Sequence, residues 1–267
     1  MPRICYGITM QLRIFIFSAL AIAQLVLLPT LSSAASSQSV KFITEEVPPV
    51  VYFHKGRLKG YNIALIKKIW AKMNLPEQKI TVQPWPRSIK DFDTAPPTCL
   101  FPVALTEERK KKYRYVSSPM FFDIVIMAHK KDKLLFSTPE QLKNVRICVT
   151  KAASVLPVLL RNGYSEANFD FATSLACSIK KFQKGRAPLI VGSAPLITYN
   201  YQVSGGDPSN LIIVARVAEL PNGFLFNDAV PQHFIENMKQ AMLHIALSRE
   251  AQTLYNQEIS PYHPNSH

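Results

Sequence analysis

The side chains able to do chemistry in this chain are few. His54, His129, His233, His244, His263 and His267 are scattered, and no CxxC, no HExxH and no Cys/His cluster accompanies them. No metal or other cofactor is therefore expected, and the histidines read as surface or packing residues. Gly192-Ser193-Ala194 lacks the Gly-x-Ser-x-Gly frame of a nucleophile elbow, and no histidine is placed by sequence to serve a serine or cysteine. What remains is charge and aromatic surface. The guanidinium of Arg109 presents paired donors that match the two oxygens of a carboxylate. Its bland alternative is the start of a solvated run, Arg109-Lys110-Lys111-Lys112. Arg87 is a second anionic anchor or merely the exposed neighbour of a structural tryptophan. Tyr52 and Trp85 offer flat apolar walls for an aliphatic or aromatic stem, although core packing explains either equally well.

Such residues need a scaffold, and the composition supplies one. The chain has 267 residues, 48% of them hydrophobic and 18% charged, which excludes a disordered protein and allows one large domain or two small ones. Nine glycines and no regular repeat exclude collagen-like chains and solenoids. Lysine and arginine number 31 against 18 acids, a net charge of +13. That balance favours anionic ligands, membrane surfaces or acidic partners. The basic runs are short and carry no aromatic stripe, so nucleic acid is not expected as a partner.

Residues 1–34 stand apart. Arg3 and Arg13 are their only charges, 14–28 is nearly continuous apolar sequence, and Pro29 precedes the small residues Ser32-Ser33-Ala34. This pattern predicts a secretory signal peptide cut near Ala34 or Ala35, with Met10 as an alternative start. A retained membrane anchor is the competing reading, but the stretch of about 15–18 residues is marginal for a bilayer. No cysteine follows for a lipid anchor and no twin arginine is present. Cleavage removes two arginines and no acid, so the net charge falls from +13 to +11. Cys5 leaves with the leader; of Cys99, Cys148 and Cys177, the pair Cys148–Cys177 is the expected bridge if export allows one.

Downstream, strands and helices alternate. Strands are expected at 40–43, 79–83, 99–105, 121–127, 145–150, 189–191 and 211–215. Ile63, Leu65, Ile66, Ile69, Trp70 and Met73 recur at helical spacing, which makes Trp70 a core residue. Thr106 is placed to cap a short helix, with Glu107 and Glu108 near its positive end. Thr138-Pro139-Glu140-Gln141 opens another. Helices are also expected at 154–161 and 178–183, and an amphipathic one carries Phe234, Ile235, Met238, Met242 and Ile245, followed by a shorter one at 251–255. The alternation implies α/β layers with largely parallel sheets, and its restart near residue 144 suggests two lobes.

These residues also carry a likeness. Phe42-Ile43-Thr44-Glu45-Glu46 with Pro48-Pro49, then Gly60-Tyr61-Asn62-Ile63-Ala64-Leu65, resembles the opening of family 3 extracellular solute-binding proteins, the branch serving polar amino-acid ABC transporters. Pro84-Trp85-Pro86-Arg87, the stretch from Cys99 through Thr106 to Arg109, Tyr115-Val116-Ser117-Ser118-Pro119 and Gly185-Arg186 match in order and spacing. The resemblance implies a two-lobe, type II periplasmic-binding-protein-like α/β fold with two hinge-crossing strands near 128–131 and 219–226. Lobe one would comprise 38–128 and 221–267, lobe two 129–220.

It also implies a periplasmic, non-enzymatic monomer that captures a carboxylate-bearing solute, an amino acid or related anion, for a membrane permease. Arg109 then holds the carboxylate, and backbone groups at Ala104 and Thr106 complete the pocket, with Ala104 lacking the hydroxyl many relatives have. Glu45, on a loop at a strand's end, would receive an ammonium group; its alternative is a solvent-facing acid. In lobe two, Lys151-Ala152-Ala153-Ser154 replaces a Gly-Ser/Thr-Thr stretch and leaves Ser154 as the hydroxyl. Ala187-Pro188 and Gly192-Ser193 stand where relatives carry aspartates. A basic cleft lacking those acids suits a dicarboxylate or another anion better than a standard L-amino acid. Two other readings compete: an enzyme on the same scaffold, such as a dehydratase or hydrolase, and a sensory binding module without transport.

Overall fold

Parallel strands joined by helices account for most of the chain, and two long antiparallel strands tie them together. The computed structural model describes residues 39–135, 138–151 and 154–264. The expected leader lies outside the described residues.

The first half runs β1 (Lys41–Thr44), β2 (Tyr52–His54), β3 (Arg57–Lys59), α1 (Tyr61–Lys72), β4 (Ile80–Val82), α2 (Trp85–Lys90), β5 (Thr98–Ala104), α3 (Glu107–Lys112) and β6 (Arg114–His129). The apolar stripe of α1 is buried through Ile63, Leu65, Ile66, Ile69 and Trp70. Trp70 meets Phe42 edge-on, ring centres 4.9 Å apart, so it is a core residue as its spacing predicted. Gly60 starts this helix at φ +110°, and a Cβ there would lie 2.5 Å from the Pro49 carbonyl oxygen. Only glycine allows the loop after β1 to approach α1 that closely.

The second half runs α4 (Pro139–Lys143), β7 (Ile147–Thr150), α5 (Val155–Arg161), β8 (Phe169–Ala172), α6 (Leu175–Gln183), β9 (Leu189–Ser193), α7 (Ala194–Val203) and β10 (Leu211–Phe226), then α8 (Gln232–Leu247) and α9 (Glu250–Glu258). The sheet order is β4-β1-β5-β10-β6-β9-β7-β8. Two parallel sets, β4-β1-β5 and β9-β7-β8, flank the antiparallel pair β10 and β6.

That central pair is longer than its apolar runs suggested. β6 and β10 pair from His129↔Leu211 to Arg114↔Phe226, with register shifts between Ile213/Ala215, Arg216/Ala218 and Pro221/Gly223. Polar and proline positions interrupt the sequence pattern, but each strand satisfies the other's backbone and the bulges absorb the mismatch. β6 still pairs with Gly223 at Ser117 and has joined β9 by Ile124. The expected crossing at 128–131 begins within the paired part of β6, beyond the point where that strand joins β9. Ile124, Ile126 and Ala128 belong to the core formed by Ile147, Val149, Leu189 and Val191.

The hairpin of β2 and β3, strand β8 and helix α7 were not expected from sequence. The bridge between Cys148 and Cys177 is absent: both are free thiols, Cys148 buried and Cys177 exposed. Helix α6 buries Ser178, Ile179 and Phe182, which turns Cys177 outward while Cys148 points into the core beside Ile179.

Candidate functional site

The C-terminal ends of parallel strands are where open α/β sheets place ligands, because the following loops and helix starts converge there. Glu45 follows β1, Trp85 opens α2 just after β4, and Ala104 ends β5. Register brings the first two together: Thr44 pairs with Val82, and the Gln83 backbone N–H donates to the Thr44 carbonyl at 2.9 Å. Thr106 caps α3 as its type and position predicted, its Oγ accepting from the Arg109 backbone N–H at 3.3 Å.

Arg109 is then held at its other end. Its Nη1 donates to the Ala104 carbonyl oxygen at 2.9 Å, and its guanidinium carbon lies 4.8 Å from the centre of the Trp85 ring. Trp85 itself packs against the apolar cluster of Phe92, Leu100, Val103, Leu105 and Leu225. The basic run divides accordingly. Lys110 pairs with Glu107 at 2.7 Å and Lys112 with Asp93 at 2.8 Å, both at the surface, while Arg109 turns inward.

The electrostatics are unbalanced. Burial raises the Glu45 carboxyl above its ordinary value, and the Trp85 backbone N–H only partly opposes this. Burial also lowers the Arg109 guanidinium, against the pull of Glu108 and Tyr113. Among the described residues, neither Glu45 nor Arg109 belongs to an ion pair. Half-buried charges without partners are costly, and a ligand carrying complementary charge relieves that cost.

Trp85, Ala104, Thr106 and Arg109 are thus linked by contacts, and the register of β1 and β4 places Glu45 at the same end of the sheet. Tyr52 and Arg87 share no side-chain hydrogen bond, ion pair or ring contact with these residues. Tyr52 faces Tyr199 of α7 at 5.8 Å, and Tyr199 meets Tyr262 edge-on at 5.0 Å. Arg87 stands exposed in the last turn of α2. Ser154 precedes α5 with no capping bond from its side chain; the next residue, Val155, shares an apolar cluster with Ala104. Sequence reasoning missed Tyr199 and Asn200, whose Nδ2 donates to the Pro48 carbonyl at 3.3 Å. No signal marked them, because their helix was not recognised. Among the described residues, no group of three or more His, Cys, Asp or Glu side chains is arranged to hold a metal.

Two α/β halves joined by a pair of long crossing strands, with unpaired charges at strand ends, define a type II periplasmic-binding-protein-like fold. The chain belongs to the bacterial extracellular solute-binding proteins, family 3, whose model matches residues 40–259. A histidine kinase sensor domain with similarity to periplasmic binding proteins superposes with TM-score 0.70 at 14% identity, covering 84% of this chain and 97% of that one. The GluR0 ligand-binding core from Nostoc punctiforme, in complex with L-glutamate, gives 0.67 at 18% identity, covering 82% and 99%. The arginine-, lysine-, histidine-binding protein ArtJ from Geobacillus stearothermophilus gives 0.67 at 14%, covering 82% and 95%. No curated protein matches the chain significantly. No described helix is long and apolar enough to cross a membrane.

Proposed function

We propose that this protein is a periplasmic receptor that closes two lobes on a small carboxylate-bearing solute and delivers it to an ABC permease, without chemistry of its own. Lobe one comprises residues from 39 to about 117 with the segment after 223; lobe two is the chain between. The carboxylate binds Arg109, assisted by the backbone at Ala104 and Thr106, and Ser154 approaches from the second lobe. Closure works by population shift, because the solute touches both lobes only when they are shut.

The observation that carries this reading is the half-buried guanidinium of Arg109, fixed by Ala104 and Trp85 and lacking an acid partner. Glu45 refines the ligand class. A second carboxylate beside it would be repelled, whereas a cationic group would relieve its burial. The solute is therefore an amino acid or another zwitterion in preference to a dicarboxylate, and Glu45 takes over the task of the aspartates missing from lobe two. A thermal-shift screen of amino acids, dicarboxylates and inorganic anions tests this, since a bound solute raises apparent stability by mass action. Zwitterions should shift the melting temperature most; a response confined to dicarboxylates or inorganic anions contradicts the assignment.

The fold shared with a histidine kinase sensor domain favours one other reading, a sensory module with the same site and a different membrane partner. Co-purification of a permease or of a kinase separates the two.

A further inference from the structure

We infer that Trp85 is the positioning residue of this site: its indole ring is the platform that fixes the guanidinium of Arg109, and it is not a wall for the solute. The inference rests on the reading of Arg109 as the carboxylate anchor and adds how that anchor is aimed.

An arginine side chain has four rotatable bonds, and ordering it costs entropy unless something holds it. Here two contacts on the side chain do so: the Ala104 carbonyl receives Nη1, and the Trp85 ring lies under the guanidinium carbon at 4.8 Å, while the Thr106 hydroxyl fixes the backbone by accepting the Arg109 N–H. That last distance is within the range where the negative face of an indole attracts a cation. With Nη1 engaged and the ring against the guanidinium, Nε and Nη2 donate no hydrogen bond to any of the described residues. Those two donors form one edge of the planar fork, the shape that binds both oxygens of a carboxylate.

The ring is itself anchored. It packs on Phe92, Leu100, Val103, Leu105 and Leu225, so the platform is set by the core of the first half of the chain. Trp85 also serves Glu45, but through its backbone N–H. A side-chain substitution therefore separates the two tasks, because the backbone donor survives it.

The test compares Trp85→Leu, which keeps apolar bulk without an aromatic face, with Trp85→Phe, which keeps a face. The first readout needs no ligand. The Nε–Hε resonance of Arg109, assigned by its loss in Arg109→Ala, should be displaced by the indole ring current in the wild type. It should return toward the position of a free arginine in Trp85→Leu and stay displaced in Trp85→Phe, with backbone amide signals outside the site unchanged. The second readout is calorimetric affinity for whichever of the twenty L-amino acids, succinate or citrate gives the largest thermal shift. Trp85→Leu should weaken it about tenfold and Trp85→Phe by less than about threefold. An Arg109 resonance and an affinity both unmoved by Trp85→Leu overturn this inference while leaving the anchor assignment intact. Undiminished binding by Arg109→Ala overturns the anchor assignment, and the resonance still decides whether Trp85 positions the guanidinium.

Discussion

Arg109 lies against the ring of Trp85, whose backbone N–H acts to lower the Glu45 carboxyl, yet the two opposite charges do not pair with each other. A protein that needed them only for stability would gain more by joining them. Kept apart and half buried, they suit a guest that brings one charge of each sign.

The cost of that arrangement is measurable at Glu45. Its carboxyl is raised, so in the ligand-free protein the ionised form is disfavoured by folding, and the penalty is present above the folded-state value. Glu45→Gln should therefore raise the melting temperature of the ligand-free protein at pH 7. The wild type should lose affinity for a zwitterion as pH falls through the raised value, and the variant should show weak binding without that pH dependence. Calorimetric titrations between pH 4 and 8 check both statements.

Tyr199 and Asn200 bring helix α7 to the loop and hairpin that follow β1. Tyr52 faces Tyr199, Tyr262 meets it from the other end of the chain, and Asn200 donates to Pro48. If closure captures the solute, these contacts favour the shut form. The double variant Tyr199→Ala with Asn200→Ala should enlarge the ligand-free protein in small-angle scattering and weaken binding roughly tenfold. An unchanged scattering profile would show that they do not govern closure.

Asn227 holds the chain beyond β10 to the turn before β5. Its Nδ2 donates to the carbonyls of Phe92, Ala95 and Pro96 at 2.8–3.0 Å, and its Oδ1 accepts from the Thr98 backbone N–H at 3.0 Å. Asn227→Ala should cost about 2–4 kcal/mol in denaturant unfolding, because buried backbone groups lose their partner. A loss below about 0.5 kcal/mol would mean that the network relaxes around the gap.

Glu250 carries the acid side of the stability profile. Lys68 at 2.7 Å and Lys72 at 3.3 Å, both on α1, hold its carboxyl down to about 2. A lowered acid contributes stability that is fully present above its unfolded value of about 4.5 and disappears as pH falls toward about 2. Glu250→Gln should cost about 0.5–1 kcal/mol at pH 7, as a surface ion pair does, and little at pH 2. Equal losses at both pH values would contradict the assignment.

Local signals were legible in the sequence. The stripe of α1, the cap at Thr106 and the order of motifs gave the class of fold, because each depends on neighbouring residues. Helix α7 escaped notice because Pro195 follows directly on a strand and Thr198, Tyr199 and Asn200 blur the helical spacing. The reach of β10 was hidden by Glu219, Pro221 and Asn222, whose tolerance depends on pairing with β6 for the first two and with β5 for Asn222. Glu45, Trp85 and Arg109 were each visible as candidates, but their contacts were not. Those arise from β1 pairing with β4 and β5, a tertiary fact that side-chain types alone do not encode.

The most direct measurement is isothermal titration of the wild type and of Arg109→Ala with the zwitterion that stabilises the wild type most. The wild type should bind at one site per chain. The variant, with an unchanged circular-dichroism spectrum and melting temperature in the absence of solute, should show no heat of binding. Equal affinity in the two proteins would contradict the account.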